Sequence, residues 1–93
     1  MIRSFRCRET QGIFELRRLR RLPSDIQQVA LRKLRMLARS SNIEDLRVPP
    51  ANHLEKLAGK RSGQWSIRIN DQWRICFHWS SGDAFDVEIV DYH

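Results

Sequence analysis

The sequence has few cysteines and no run of apolar residues long enough to cross a membrane. Its two cysteines, Cys7 and Cys76, are far apart and form no Cys-x-x-Cys pair, so neither a disulfide framework nor a zinc site is predicted. Residues 1–6 also lack the apolar core of a signal peptide. We therefore expect no membrane association and a cytoplasmic location.

The sequence also lacks internal repeats and low-complexity linkers. A chain of 93 residues can close one hydrophobic core, but it cannot be split into two cores that each bury enough apolar surface. Hydrophobic residues make up 41% of the chain and include three tryptophans and four phenylalanines, which is enough to cover one face of a sheet. We predict a single domain over residues 1–93.

Acidic residues are too few to balance the basic ones, and the net charge is +6. Residues 1–39 hold eleven Lys and Arg against three Asp and Glu, whereas residues 40–93 hold six against eight. Such an excess favours polyanions through phosphate contacts and counterion release. The cluster Arg17-Arg18-Leu19-Arg20-Arg21 therefore favours binding of a polyanion, with a solvated helix face as the alternative. Nothing in the charge pattern supports sequence-specific reading of DNA.

The first half of the chain predicts one strand and two helices. Residues Ile2–Cys7 are short and partly apolar, which is typical of a strand. Apolar residues at mixed three-residue spacing after Glu9 predict a short helix, namely Ile13, Phe14, Leu16 and Leu19. After Pro23, a longer helix is predicted to Arg39, with Ser24 and Gln27 as a capping box. The loop that follows is predicted to hold one helical turn over residues 43–46.

The second half alternates apolar and polar residues, which predicts a meander of antiparallel strands. A weak strand is predicted over residues 54–57. Three clear ones follow, joined by turn residues at 70–72 and 80–83. The inward-facing residues of these three strands are predicted to be Trp65, Ile67 and Ile69; Trp73, Ile75, Phe77 and Trp79; and Phe85, Val87 and Ile89. The fold class is therefore α+β, with two helices packed on a mainly antiparallel sheet.

The same alternation places a polar, cationic set of side chains on the opposite face of the sheet. The predicted members of that face are Arg68, Arg74, Cys76, His78, Glu88, Val90 and Tyr92. Guanidinium groups offer planar, bidentate donors to phosphate oxygens, so this face could hold a phosphodiester. An ordinary solvated face remains the alternative, and we expect no chemistry from His53 or His78.

Cleavage of RNA without a metal needs three chemical groups. A base takes the proton of the ribose 2′-hydroxyl, a cation stabilises the charge on phosphorus, and an acid protonates the departing 5′-oxygen. His93, Arg74 and Tyr92 can supply these groups, and Asp91 can orient or pair with a neighbour. A terminal histidine can also be a side chain without function. No spacing is characteristic of a metal site, and no cofactor is predicted.

Two segments carry a resemblance to a known family. Residues 63–77, GQWSIRINDQWRICF, and residues 87–93, VEIVDYH, resemble the HigB branch of the RelE/ParE superfamily of toxins, and residues 1–5 are also typical of it. The resemblance covers essentially the whole chain and implies a small RelE-like domain. It further implies a metal-independent, ribosome-dependent endonuclease that cuts messenger RNA in the ribosomal A site. A helix-turn-helix, HigA-like antitoxin would neutralise it, and DNA would be contacted only through the antitoxin complex.

The resemblance also assigns roles to residues by motif. The implied catalytic residues are Arg74, Asp91, Tyr92, His93 and Glu55. The implied RNA-binding residues of the sheet region are Lys56, Lys60, Arg61 and Arg68, and those that would dock on ribosomal RNA are Arg17, Arg18, Arg20 and Arg21. The sequence departs from the family at Ala58, where a lysine is common. Either Lys56, Lys60 or Arg61 substitutes for that lysine, or the toxin is milder.

Two other functions stay open on the sequence. One is a protein-binding inhibitor like the ParE branch, which targets DNA gyrase. The other is a non-catalytic module that binds RNA or the ribosome, which the alanine at position 58 keeps open. The presence of Arg74, Tyr92 and His93 favours the endoribonuclease over the gyrase inhibitor.

Overall fold

The fold consists of two α-helices packed on one sheet. The computed structural model describes residues 1–17 and 23–91, and the elements below are those of these ranges. The helices are α1 (Arg8–Phe14) and α2 (Ser24–Arg39), and the strands are β1 (Glu55–Lys56), β2 (Gln64–Arg68), β3 (Trp73–Ser80) and β4 (Asp83–Asp91). Among the helices of the described ranges, none is long and apolar enough to cross a membrane.

Helix α2 has the predicted bounds and the predicted amphipathic pattern. Its apolar stripe is buried against the sheet, while Arg32, Arg35 and Arg39 are exposed. The predicted capping box is wrong. Pro23 occupies the N-cap position, Ser24 is already helical, and no side chain caps the helix. The fixed φ of proline is compatible with the start of a helix.

Helix α1 ends earlier than the apolar spacing suggests. Leu16 adopts a left-handed backbone conformation, with φ 66°. The amide of Leu16 donates to the carbonyl of Ile13 at 3.0 Å, and that of Arg17 donates to the carbonyl of Gly12 at 2.7 Å. These two bonds are a Schellman motif, which closes a helix. Leu16 is therefore not part of the helical stripe, and Leu19 lies outside the described residues.

The strands form a sheet in the order β1-β2-β3-β4, with every neighbouring pair antiparallel. This arrangement confirms the predicted meander and the α+β class. One face of the sheet packs on the helices. Fully buried side chains from the helix layer and from the sheet meet there: Leu34, Leu37, Ile67, Ile75, Phe77 and Val87. Burial of this apolar surface is the main stabilising term of the fold.

A bulge in β4 changes which side chains face the helices. The register between β3 and β4 shifts between Cys76 and His78, and Asp86 has a left-handed φ of 53°. As a result Ala84 is fully buried in the core, whereas Phe85 lies opposite His78 on the other face. The prediction that Phe85 belongs to the core is therefore wrong, because strict alternation ends at the bulge.

The N-terminal segment lies beside β4 but does not form the predicted strand. Ile2 and Phe5 make single parallel bridges to Ala84 and Val87, respectively. Both side chains pack against the core. The segment covers the edge of β4, and its backbone is hydrogen-bonded to Ala84 and Val87.

The connection from α2 to β1 is built from two 3₁₀ helices, Ile43–Arg47 and Pro50–Asn52. The first contains the predicted helical turn and is capped by Asn42. Leu46 and Asn52 are fully buried. A third 3₁₀ helix, Gly59–Arg61, precedes β2.

Candidate functional site

The sheet face that points away from α2, called the outer face below, carries rows of paired side chains. Residues paired across antiparallel strands point to the same side of a sheet. The rows are Arg68, Arg74 and Val90; Glu55, Ser66, Cys76 and Glu88; and Gln64, His78 and Phe85. The predicted polar face is thus confirmed for the described residues, with Phe85 added to it.

Arg74 is held at the centre of a polar cluster. Its side chain is only 11% exposed. The Nε–H donates to Ser66 Oγ at 2.9 Å, and one terminal nitrogen donates to the backbone carbonyl of His53 at 2.6 Å. A carboxylate oxygen of Glu55 lies 4.0 Å from the same nitrogen. The structure therefore brings Arg74 and Glu55 together, and His53 contributes its backbone.

A second group of charged side chains, two arginines around one carboxylate, lies on the same face. Arg61 donates to Gln64 at 3.0 Å and to Glu88 at 2.7 Å. The guanidinium of Arg6 lies 3.6 Å from the other oxygen of Glu88. The sequence predicted Arg61 as an RNA contact, but it gave no role to Arg6 and did not pair Glu88 with either arginine. Glu88 thus offsets part of the positive charge of this face.

Cys76 lies near both the Arg74 cluster and the pair of Arg61 with Glu88. Its side chain is fully buried. Burial raises the pKa of the Cys76 thiol, and the neighbouring carboxylate of Glu88 adds to this, while Arg61 and Arg74 act in the opposite direction. The thiol is therefore neutral near pH 7 and lies within electrostatic reach of both arginines. The outer face is one connected cluster.

The other predicted RNA-binding residues are more scattered. Arg68 forms an ion pair with Asp71 in the β2–β3 turn. Lys56 lies over the ring of Trp65, with its Nζ 5.7 Å from the ring centroid, and points to the helix-covered side of the sheet. Lys60 is exposed in the 3₁₀ helix before β2. Of these three, only Arg68 shares a row with Arg74.

Asp91 lies on the side of the sheet opposite to Arg74. It pairs with Trp73 in the last register position of β3 and β4, and its carboxylate accepts a hydrogen bond of 3.2 Å from Gln72. The structure does not bring it to the Arg74 cluster. The predicted residues Tyr92 and His93 lie outside the described residues, as do the predicted arginines at positions 18, 20 and 21.

The helical side of the molecule carries the exposed, less compensated charge. Arg17 forms an ion pair with Glu15 at the end of α1. Arg32, Arg35 and Arg39 on α2 make no ion pair with another residue of the described ranges. Positions i, i+3 and i+7 lie along one side of a helix, so these three form an arginine stripe. The charge asymmetry of the sequence is thus visible as a surface.

Metal ligands are not grouped in the described part of the chain. No cluster of three or more His, Cys, Asp or Glu side chains occurs there that could hold an ion. The site features that sequence reasoning missed are Ser66, the His53 carbonyl and Arg6. Ser66 could have been found from strand alternation, since it shares a face with Arg74. A backbone carbonyl leaves no signal in side-chain patterns.

A family model and two curated relatives indicate the same protein family. A family model described as the RelE-like toxin of the type II toxin-antitoxin system HigB matches residues 3–93. The chain is 41% identical over 70 residues to Toxin HigB-1 of Vibrio cholerae, covering 75% of this chain and 74% of that protein. It is 45% identical over 40 residues to Endoribonuclease HigB of Proteus vulgaris, covering 43% of this chain and 44% of that protein.

Two further likenesses complete the comparison. An uncharacterized protein of Haemophilus influenzae is 44% identical over 64 residues, covering 69% of this chain and 63% of that protein, which is less than two thirds of its length. A chain of the YoeB-YefM complex from Staphylococcus aureus matches with a TM-score of 0.62 and 14% identity, covering 100% of this chain and 98% of that one. At that identity the likeness concerns the fold, and it confirms the predicted RelE-like arrangement.

Proposed function

Since this chain belongs to the HigB family of RelE-like toxins of type II toxin-antitoxin systems, we propose that it is an endoribonuclease that cleaves messenger RNA during translation and so inhibits protein synthesis. The observation that carries the proposal is the held guanidinium of Arg74. It is fixed by Ser66 and by the His53 carbonyl, with Glu55 beside it. A cation fixed in advance stabilises charge that develops on phosphorus without reorganising at the moment of reaction.

The proposed reaction needs no metal. The 2′-oxygen of the ribose attacks phosphorus and its proton goes to a base, while the bond to the 5′-oxygen breaks and an acid protonates that oxygen. The products are a 2′,3′-cyclic phosphate and a 5′-hydroxyl. Arg74 is the proposed charge stabiliser, and Tyr92 and His93 are the proposed acid and base, since an imidazole exchanges protons near neutral pH. Glu55 and Asp91 are proposed to assist.

The messenger is proposed to run along the outer face. Arg61 and Arg68 flank Arg74 there, and their guanidinium groups can bind phosphates in a bidentate manner. Both are paired with carboxylates in the free protein, and a phosphate would replace those partners. Lys56 and Lys60 are proposed to contact the RNA outside this cluster. They would substitute for the lysine that is common in the family at the position of Ala58.

Ribosome binding is proposed for the helical side. The arginine stripe of α2 is exposed, and the basic cluster Arg17, Arg18, Arg20 and Arg21 is proposed to dock on ribosomal RNA as well. Exposed arginines without carboxylate partners bind phosphate backbones by releasing counterions. The stripe and Arg74 lie on opposite sides of the sheet, so one surface can dock on ribosomal RNA while the other holds the messenger.

An antitoxin is the proposed protein partner. Membership of a type II toxin family supports such a partner, and the matched Staphylococcus structure is itself a complex of YoeB with YefM. We propose that the antitoxin is a HigA-like helix-turn-helix protein and that this chain meets DNA only through it. Co-purification with the product of a neighbouring helix-turn-helix gene tests this partner directly.

The decisive experiment is primer extension on messages engaged by ribosomes. Wild type is expected to give codon-proximal cuts, and Arg74→Gln is expected to lower the cutting rate by about a hundred-fold, as for loss of one transition-state donor. His93→Ala is expected to lower it by about a hundred-fold or more, as for loss of a general acid or base. Arg47→Gln removes an exposed arginine that is paired with Glu44; it is the matched control and should cut like wild type.

The arms of this experiment separate the competing functions. Free RNA that is cut as fast as ribosome-engaged RNA would remove the proposed ribosome dependence. Ribosome binding by a wild-type protein that makes no cuts would favour the non-catalytic binding module. Cuts that persist unchanged in His93→Ala would remove His93 from the chemistry.

A further inference from the structure

A lysine side chain is buried between the helix and the loop that holds Arg74. Lys33 on α2 is only 6% exposed. An ammonium group is rarely buried in this way unless it is paired, because it loses its hydration. Burial lowers the pKa of Lys33, and the nearby charge of Arg32 lowers it further. Its Nζ donates a hydrogen bond to the side-chain oxygen of Asn52.

Asn52 transmits this bond to the loop. Its side chain is fully buried, and its amide nitrogen donates to the carbonyl of Leu46 at 3.0 Å and to that of Val48 at 3.5 Å. The same nitrogen lies 3.1 Å from the sulfur of Met36 on α2. The Asn52 side chain therefore connects α2 with the end of the first 3₁₀ helix, while its backbone belongs to the second.

The residue after Asn52 holds Arg74. His53 has a left-handed backbone, with φ 43° and ψ 56°, a conformation that a non-glycine residue keeps only when its surroundings impose it. Its amide donates to the Pro50 carbonyl at 3.0 Å, and its own carbonyl accepts the bond of 2.6 Å from Arg74. Because Asn52 and His53 are consecutive, anchoring the Asn52 side chain restricts the movement of the backbone that carries the His53 carbonyl.

We propose that Lys33 and Asn52 are positioning residues for RNA cleavage, acting together as a lock that sets the orientation of the Arg74 guanidinium through the His53 carbonyl. The proposal rests on the endoribonuclease function proposed above. Stability alone does not account for a lysine here. Holding a lysine here carries the cost of desolvating an ammonium, whereas apolar replacement of both partners of a buried polar pair is often neutral or stabilising. The lysine is useful because it gives the loop one defined position.

The test compares Lys33→Met with wild type on ribosome-engaged messenger RNA. The expected result is a fall of kcat by about ten- to a hundred-fold with KM unchanged, because a misplaced guanidinium weakens only the transition state. The second readout is exchange with solvent of the Arg74 Nη–H group that donates to the His53 carbonyl, measured by NMR. It is expected to become about ten-fold faster, in proportion to the loss of one buried hydrogen bond. Ile26→Val, a buried change elsewhere on α2, is the matched control for both.

A second variant keeps the test informative if Lys33→Met folds poorly. Asn52→Asp still accepts from Lys33, so α2 keeps its partner, but a carboxylate cannot donate to the carbonyls of Leu46 and Val48. It is expected to show the same fall in kcat and the same faster exchange at Arg74. Unchanged kcat and unchanged exchange in these variants would overturn the lock. A wild type that cuts no RNA would instead overturn the proposed function, and the exchange measurement would then judge the lock alone.

Discussion

Glu88 accepts a hydrogen bond of 2.7 Å from Arg61, and this pair lies across the face of the sheet that holds Arg74. Arg6 approaches the second oxygen of the same carboxylate to 3.6 Å. One half-buried acid therefore holds two guanidinium groups on a surface proposed to bind RNA. Carboxylate and phosphate both accept bidentate bonds from arginine, so Glu88 and a phosphate compete for the same donors.

Replacement of this acid is the first prediction. Glu88→Gln is expected to tighten binding of single-stranded RNA several-fold at low salt, because two arginines lose their carboxylate partner. The plot of log binding constant against log salt should steepen by about 0.7, the slope for one more phosphate contact on a single strand. Fluorescence anisotropy over a salt series measures both. Glu44→Gln, which removes the same charge from the exposed pair with Arg47, should leave the slope near wild type.

The second prediction concerns the end of α1. Leu16 occupies the left-handed position of the Schellman motif and is 68% exposed. Its backbone is therefore strained, while its side chain gains little stabilisation from packing. Leu16→Gly is expected to raise the free energy of unfolding by about 0.5–1 kcal/mol, after allowing for the greater freedom of glycine in the unfolded chain. Urea denaturation measures the change. Leu16→Ala keeps the strained Cβ and should show no gain; an equal gain in both variants would contradict the strain argument.

Most of the regular structure could be predicted because its signal is local. Helix α2 and strands β2–β4 follow from apolar residues at periods near 3.6 and 2, and these periods match the faces that are buried. Two of the errors occur where backbone geometry departs from the pattern without a glycine to mark it. Leu16 ends α1, and Asp86 lies in the bulge of β4. Both adopt left-handed conformations that cannot be predicted from the pattern of side chains.

The candidate site divides in the same way. Arg74 was predicted from its motif and strand parity, and Glu55 from the resemblance alone. The bond between Lys33 and Asn52 joins residues nineteen apart along the chain, and the His53 carbonyl is a backbone group, so neither leaves a periodic signal. Lys33 interrupts the apolar stripe of α2, since it lies on the buried face beside Leu34. A charged residue at an apolar position was the one available sign of the lock.

The third prediction tests the arginine stripe. Replacing Arg32 and Arg39 with glutamine is expected to weaken co-sedimentation with ribosomes and to lower the salt slope for duplex RNA by up to about two, since each removed phosphate contact accounts for about 0.9. Arg3→Gln with Arg47→Gln removes the same net charge from arginines that already have carboxylate partners. The control should retain ribosome binding. Equal losses in both double variants would mean that net charge alone, and not the stripe with Arg35 at its centre, governs association.

The last prediction follows from the buried thiol of Cys76. Burial raises the pKa of this thiol above its ordinary value of 9.0, so the folded state keeps its proton at a pH where the unfolded state begins to lose it. The folded state then binds more protons, and the unfolding free energy must fall as pH rises above 9.0. Well below that pH the thiol is protonated in both states, and its contribution to stability no longer changes with pH.

Cys76→Ala should therefore lose less stability than wild type between pH 8 and pH 10, although the cavity makes it less stable at both. Urea unfolding at the two pH values gives the difference, which is free of the other titrating groups because both proteins share them. Cys7→Ala is the control, since Cys7 is only half-buried. It should show the same loss as wild type, and an equal loss in Cys76→Ala would mean that the thiol does not contribute to the alkaline instability.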